Sequence, residues 1–133
     1  MRSKGQQLDD IEQLRWMASE FAQGFNSGDV DRIMCFYDKT YVDINLRNPV
    51  QSWVERRAYY AHIIERGGFR VTVRPDEIQV HGDFAFVRGT LELIRTDATR
   101  TELRYLEIVH RDPNGSWRVM WGMDGPIQEY TPS

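Results

Sequence analysis

The chain has 133 residues and a mass of 15.7 kDa, which implies one domain over residues 1–133, large enough to bury roughly two thirds of the surface its unfolded chain exposes. A formal net charge of −3 and a pI near 5.6 offer no field that would attract nucleic acid. The opening MRSKGQQLDD has no apolar stretch behind it, no run approaches the roughly 18 apolar residues of a membrane span, and the single Cys35 cannot form an internal disulfide, so the expected location is the cytoplasm.

Asp9 followed by Glu12 has the spacing of a capping box, and Ile11, Leu14, Met17, Ala18, Phe21, Ala22 and Phe25 recur at helical spacing. A long amphipathic helix is predicted, with Trp16 on its opposite side. Gly28 suits the left-handed residue that ends a helix, and Asp29 suits the cap of the next. Val30, Ile33, Met34 and Tyr37 give that second helix an apolar side, Asp38 and Lys39 interrupt it, and residues 40–46 read as a strand. In this strand Tyr41, Asp43 and Asn45 share one face and Val42, Ile44 and Leu46 the other. By composition alone the second face is the buried one.

Arg47-Asn48-Pro49 breaks the strand, and Ser52 with Glu55 caps a third helix that ends at Gly67-Gly68. Trp53, Val54, Ala58, Tyr60, Ala61 and Ile64 form a broad apolar side, Tyr59 and Ile63 lie on another, and His62 sits on the flank. From Phe69 the pattern is β. Residues 69–80 form a strand interrupted at Pro75, which suggests an edge or a bulge. After the His81-Gly82-Asp83 turn come strands at 84–95, 100–111 and 117–123, the last two joined by Asp112-Pro113-Asn114-Gly115-Ser116. Both faces of the 100–111 strand are apolar: Leu106 and Ile108 alternate with Leu103, Tyr105 and Val109. A half-solvated sheet alternates more cleanly, so a homodimer through the outer sheet face is expected.

This order of elements, with Gly28-Asp29, Phe36-Tyr37-Asp38, Tyr41-Val42-Asp43, Asp112 to Gly115 and Trp117, resembles the nuclear-transport-factor-2-like superfamily, which includes ketosteroid isomerase and the SnoaL-like polyketide cyclases. The resemblance implies an α+β fold in which three N-terminal helices pack on a strongly curved antiparallel sheet, a cystatin-like cone whose wide end is a natural pocket. Matched to ketosteroid isomerase, Asn45 falls where that family has its Asp base, Phe21 where it has its oxyanion tyrosine, and Glu107 where it has its protonated Asp. The handling of a neutral buried acid in that family is well known. The same match turns Tyr41, Asp43 and Asn45 toward the pocket and points Asp124, which shares its strand face with Met120 and Gly122, inward.

Two carboxylates are therefore the catalytic candidates. Glu107 lies on a face otherwise apolar or aromatic; if that face is interior, burial raises its pKa and makes it a donor or general acid, and if not, Arg88, Arg95, Arg104 or Arg118 is within reach to pair with it. Asp43 is the nearest possible base. Asn45, Tyr41, Tyr59, His62, Trp53, Tyr105, Met120, Asp124, Phe21 and Met17 complete the candidate substrate wall, suited to a small apolar molecule. No phosphate loop, hydrolase triad order or metal-ligand spacing occurs, so no cofactor and no metal are expected. The resemblance implies a cofactor-free isomerase, dehydratase or cyclase acting on a small apolar or polycyclic carbonyl compound; a non-catalytic binding module and an assembly domain are the alternatives.

Overall fold

The structure, a computed structural model, describes residues 3–44 and 51–126. Helix α1 spans Lys4–Ser27, α2 Val30–Met34 and α3 Trp53–Arg66; the strands are β1 Tyr37–Asp43, β2 Gln51–Ser52, β3 Phe69–His81, β4 Phe84–Arg95, β5 Arg100–Arg111 and β6 Trp117–Pro126. Asn45 and the Arg47-Asn48-Pro49 break lie outside the described residues. Among the described residues no helix is long and apolar enough to cross a membrane.

The capping box of α1 is made by Ser3 and Gln6 rather than by Asp9 and Glu12, because the Ser3 hydroxyl accepts the Gln6 N–H (3.2 Å) while Gln6 Oε1 accepts the Ser3 N–H (2.8 Å). The helix therefore starts earlier than its apolar stripe. Gly28 ends it in the left-handed conformation (φ 74°), and the Asp29 side chain accepts the Arg32 N–H to start α2. Tyr37 belongs to β1 and not to α2. Asp38 does not interrupt the chain but accepts the N–H and hydroxyl of Thr40 within the strand. Ser52 and Glu55 cap α3 reciprocally, as their spacing predicts.

The six strands form one curled sheet in the order β2-β1-β6-β5-β4-β3. Strands β3 to β6 make the expected antiparallel meander, but β1 lies parallel to β6, so the sheet is mixed, and β1 and β2 precede α3 in the chain. Pro75 sits on the edge strand β3, where the register shifts between Pro75 and Glu77. At that edge the Asn26 amide pairs with the Val71 backbone in both directions (2.9 and 2.8 Å), as a strand neighbour would. Leu14 of α1, Ile33 and Met34 of α2 and Tyr60 of α3 pack against Tyr37, Tyr41, Ala85, Val87, Val109, Trp117 and Val119 of the sheet.

Candidate active site

Register places the site. Asp43 of β1 stands beside Gly122 of β6, Gly122 beside Glu107 of β5, and Glu107 beside Val87 of β4, so two carboxylates flank one glycine. Two strand spacings put their Cα atoms roughly 10 Å apart. One residue pair further along, Tyr105 stands beside Asp124. A shift in the β5–β6 register, between Ile108 and Val109, leaves Met120 as an extra residue between Val119 and Trp121. That bulge keeps Val119, Gly122 and Asp124 facing inward and turns Met120 out of the expected row.

The inward faces of sheet and helices enclose a cavity of about 60 Å³, counted as the space open to the centre of a water molecule. Its apolar wall includes Leu14, Met17, Phe21, Val73, Val87 and Val109, and its polar end is built from Tyr37, Tyr41, Asp43, Arg56, Tyr60, Glu107 and Asp124. Tyr105 also lines it.

Arg56 organises the polar end. Only 6% exposed, it projects from the first turn of α3; its Nη2 meets Asp43 Oδ2 (3.3 Å) and Asp124 Oδ2 (3.2 Å), and its Nη1 donates to Gln51 Oε1 (3.1 Å). The Tyr60 ring lies 4.6 Å from the guanidinium carbon. Burial opposes its charge, but the Tyr60 oxygen and the Asp43 carboxylate around it more than compensate, and its pKa rises. The Tyr41 hydroxyl donates to Asp43 Oδ2 (2.9 Å), so this oxygen, on a carboxylate 2% exposed, has two partners. Tyr37 and Tyr60 join hydroxyl to hydroxyl at 3.4 Å. Loss of solvent raises the pKa of Tyr37, Tyr41, Tyr60 and Tyr105 alike, so all four remain protonated at neutral pH.

Glu107 differs from the two aspartates. It is half-buried and lines the cavity. No hydrogen bond or ion pair reaches its carboxyl among the described residues. Arg88 is taken by Glu77 (2.7 Å), Arg95 by Thr101 (2.8 Å), and Arg118 by Asp112 (3.3 Å). Loss of solvent pushes its pKa up to about 7, with Arg56 opposing the rise and Asp124 adding to it. Asp124, at the more open end, is also raised by burial, and Arg56 opposes this.

Of the residues expected in the site, Asp43, Glu107, Tyr41, Tyr105, Asp124, Phe21 and Met17 line the cavity. Four described ones do not. Tyr59 is 43% exposed because the inward stripe of α3 runs through Arg56 and Tyr60, one position away. His62 falls on the exposed face of the same helix. Trp53 packs at the start of α3 with the Lys39 ammonium 3.4 Å from its ring, outside the cavity. Met120 is displaced by the bulge. Conversely, Arg56, Tyr60 and Tyr37 were not anticipated, although Arg56 and Tyr60 stand four apart on one helix face.

Compared with known proteins, the SnoaL-like domain profile matches residues 18–120. No curated protein matches the chain. Among solved structures it is similar to a ketosteroid isomerase-like protein from Erwinia carotovora atroseptica (19% identity, TM-score 0.73, covering 90% of this chain and 98% of that one). It is similar to a domain of unknown function with a cystatin-like fold from Nostoc punctiforme (15%, 0.81, 91% and 79%). It also resembles a candidate dehydratase of the NTF2-like family from Streptomyces avermitilis (18%, 0.76, 91% and 98%). At such identities the likeness is one of fold, and the chemistry rests on the site. With the profile covering α1 to β6 and the same curled sheet closing over the helices, the chain belongs to the SnoaL-like domain family of the NTF2-like superfamily.

Proposed function

We propose that the protein is a cofactor-free acid/base enzyme of the isomerase, dehydratase or cyclase type, acting on a small apolar carbonyl compound. The observation that carries this reading is Glu107, a carboxyl facing a largely apolar cavity with no cation on it among the described residues and titrating near neutrality. A group poised there is populated in both forms: protonated, it donates a hydrogen bond to a carbonyl oxygen, and ionised, it accepts a proton from carbon. The sequence reading gives the base role to Asp43. Asp43 Oδ2 already holds the Tyr41 hydroxyl and Arg56 Nη2, so its proposed role is to keep those two in place. The candidate dehydratase and the ketosteroid isomerase-like protein among the structural neighbours support the class of reaction. A cytoplasmic site of action belongs to the same proposal, since a lone cysteine gives no advantage in an oxidising compartment.

The test is a screen of compact enones and β-hydroxy ketones for product by NMR. Glu107→Gln is expected to keep ligand affinity and lower turnover by about 10²-fold or more, the usual scale of a positioned proton carrier. Turnover unchanged in both Glu107→Gln and Asp43→Asn rejects the assignment. A non-catalytic binding module is the second reading, favoured by Arg56 engaging both other carboxylates and by a phenylalanine at position 21; it predicts ligand binding with no product at all.

A further inference from the structure

We infer that the cavity takes a compact, uncharged molecule of about one ring that accepts a hydrogen bond, and that it excludes both fused polycycles and carboxylates. This rests on the reading of the cavity as the substrate site and narrows the substrate class. The size limit comes first. One water occupies roughly 10–15 Å³ in this measure, so about 60 Å³ is room for about four to six waters, whereas pockets for larger organic ligands run to several hundred Å³.

The wall does not enlarge cheaply, because its aromatic rings hold one another. Phe21 meets Phe25 at 5.1 Å and Tyr60 at 5.7 Å, and Tyr37 meets Tyr41 at 4.7 Å, mostly edge to face. Two tyrosines are also seated in notches of the sheet. A Cβ on Gly89 would lie 2.5 Å from the Tyr105 hydroxyl, and one on Gly122 2.6 Å from that of Tyr41. Neither ring can withdraw further into the sheet.

Charge sets the second limit. Around the polar end, among the described residues, Asp43, Asp124 and Glu107 face one guanidinium, whose Nη1 and Nη2 are already engaged. Its Nε has no acceptor among the described residues but also no accessible surface, so an anion in the cavity cannot reach it. The Tyr105 hydroxyl is in the same position. What the cavity presents to a ligand is two acids: the part-exposed Asp124 carboxylate on Arg56, and the Glu107 carboxyl, a donor while it holds its proton and a repulsive charge to any anion afterwards.

Titrating the protein with 2-cyclohexen-1-one, benzoate and androst-4-ene-3,17-dione, followed by amide NMR, tests the inference. Cyclohexenone is expected to shift β5 and β6 amides saturably, about tenfold more tightly at pH 6 than at pH 8, as Glu107 gains its proton beside Arg56, Asp124, Tyr37 and Tyr105. Glu107→Gln should bind it with no pH dependence. Binding of benzoate or the steroid as tightly as cyclohexenone overturns the inference, and so does the absence of saturable shifts with any probe. The proposed reaction is read separately, as deuterium exchange at the carbons next to the carbonyl. Binding without exchange sinks the reaction and leaves the ligand class standing; turnover of the steroid does the reverse.

Discussion

The Tyr41 hydroxyl occupies the space of a side chain that Gly122 lacks: a Cβ there would stand 2.6 Å from the phenol oxygen. The glycine is thus a steric requirement of the Tyr41 to Asp43 hydrogen bond, and through it of Arg56. Gly122→Ala is expected to destabilise the fold by about 1–3 kcal/mol, the usual cost of overpacking. Tyr41→Phe in the same chain removes the clashing oxygen. The double variant should therefore recover part of the loss in urea denaturation, whereas simple additivity of the two changes would deny the steric link.

Glu107 makes stability depend on pH in an unusual direction. A carboxyl whose folded pKa, about 7, exceeds the ordinary value of 4.5 it has in the unfolded chain binds protons more strongly in the native state. Its contribution is fully present below about pH 4.5 and is lost as pH rises through about 7, by about 3 kcal/mol in all. Urea melts at pH 5 and pH 8 should show wild type losing most of that, about 2.5 kcal/mol, relative to Glu107→Gln. Asp38 works in the opposite sense but only below pH 4, since hydrogen bonds from Thr40 and His110 hold its pKa down to about 2; Asp124, raised by burial like Glu107, is common to both proteins, so the difference between them reports Glu107.

Asp10, 1% exposed on α1, receives both Nη groups of Arg111 at 3.1 and 3.0 Å and the Trp117 indole N–H at 3.3 Å. Removing one partner of a buried ion pair leaves the other uncompensated. Asp10→Asn should cost about 3–5 kcal/mol and lower the urea midpoint accordingly. A change under 1 kcal/mol would show that Asp83, 3.3 Å from Arg111 Nε, is partner enough.

The outer face of the sheet carries Phe84, Phe86, Ile108 and Trp121 in adjoining positions of β4, β5 and β6, with Phe84 and Trp121 exposed. We propose that this face joins two copies of the chain. Sedimentation at micromolar concentration should give the dimer mass for the wild type and the monomer mass for Trp121→Arg. A monomeric wild type removes the proposal.

Local signals carried much of the architecture into the sequence. The Ser52 and Glu55 cap, the Gly28-Asp29 break, the Pro75 edge and the long β run after Phe69 each depend on a few neighbouring residues, and each appears in the fold. The long-range features are less legible. Nothing near Tyr37 announces that β1 will lie parallel to β6, and without that pairing Asp43 cannot be set beside Gly122 and Glu107. Arg56 is the clearest case: an arginine on an apolar helix reads as its polar edge until the two acids that receive it are placed in space. Tyr59 stood in for Tyr60 because α3 is apolar over much of its circumference, so pattern alone could not choose the face. Met120 was misplaced by a bulge, which a strict two-residue alternation does not foresee.

The parallel contact of β1 with β6 bears on how the protein is born. A ribosome releases Tyr37–Asp43 long before Trp117–Pro126, and in the interval the two residues of β2 are the strand partner β1 has among the described residues. Arg56 and Asp43 must wait through most of translation for Asp124 to arrive, so the charged end of the cone is a late event of synthesis. A chain halted before its last strand would hold most of the meander and leave Arg56 without one of its two acids.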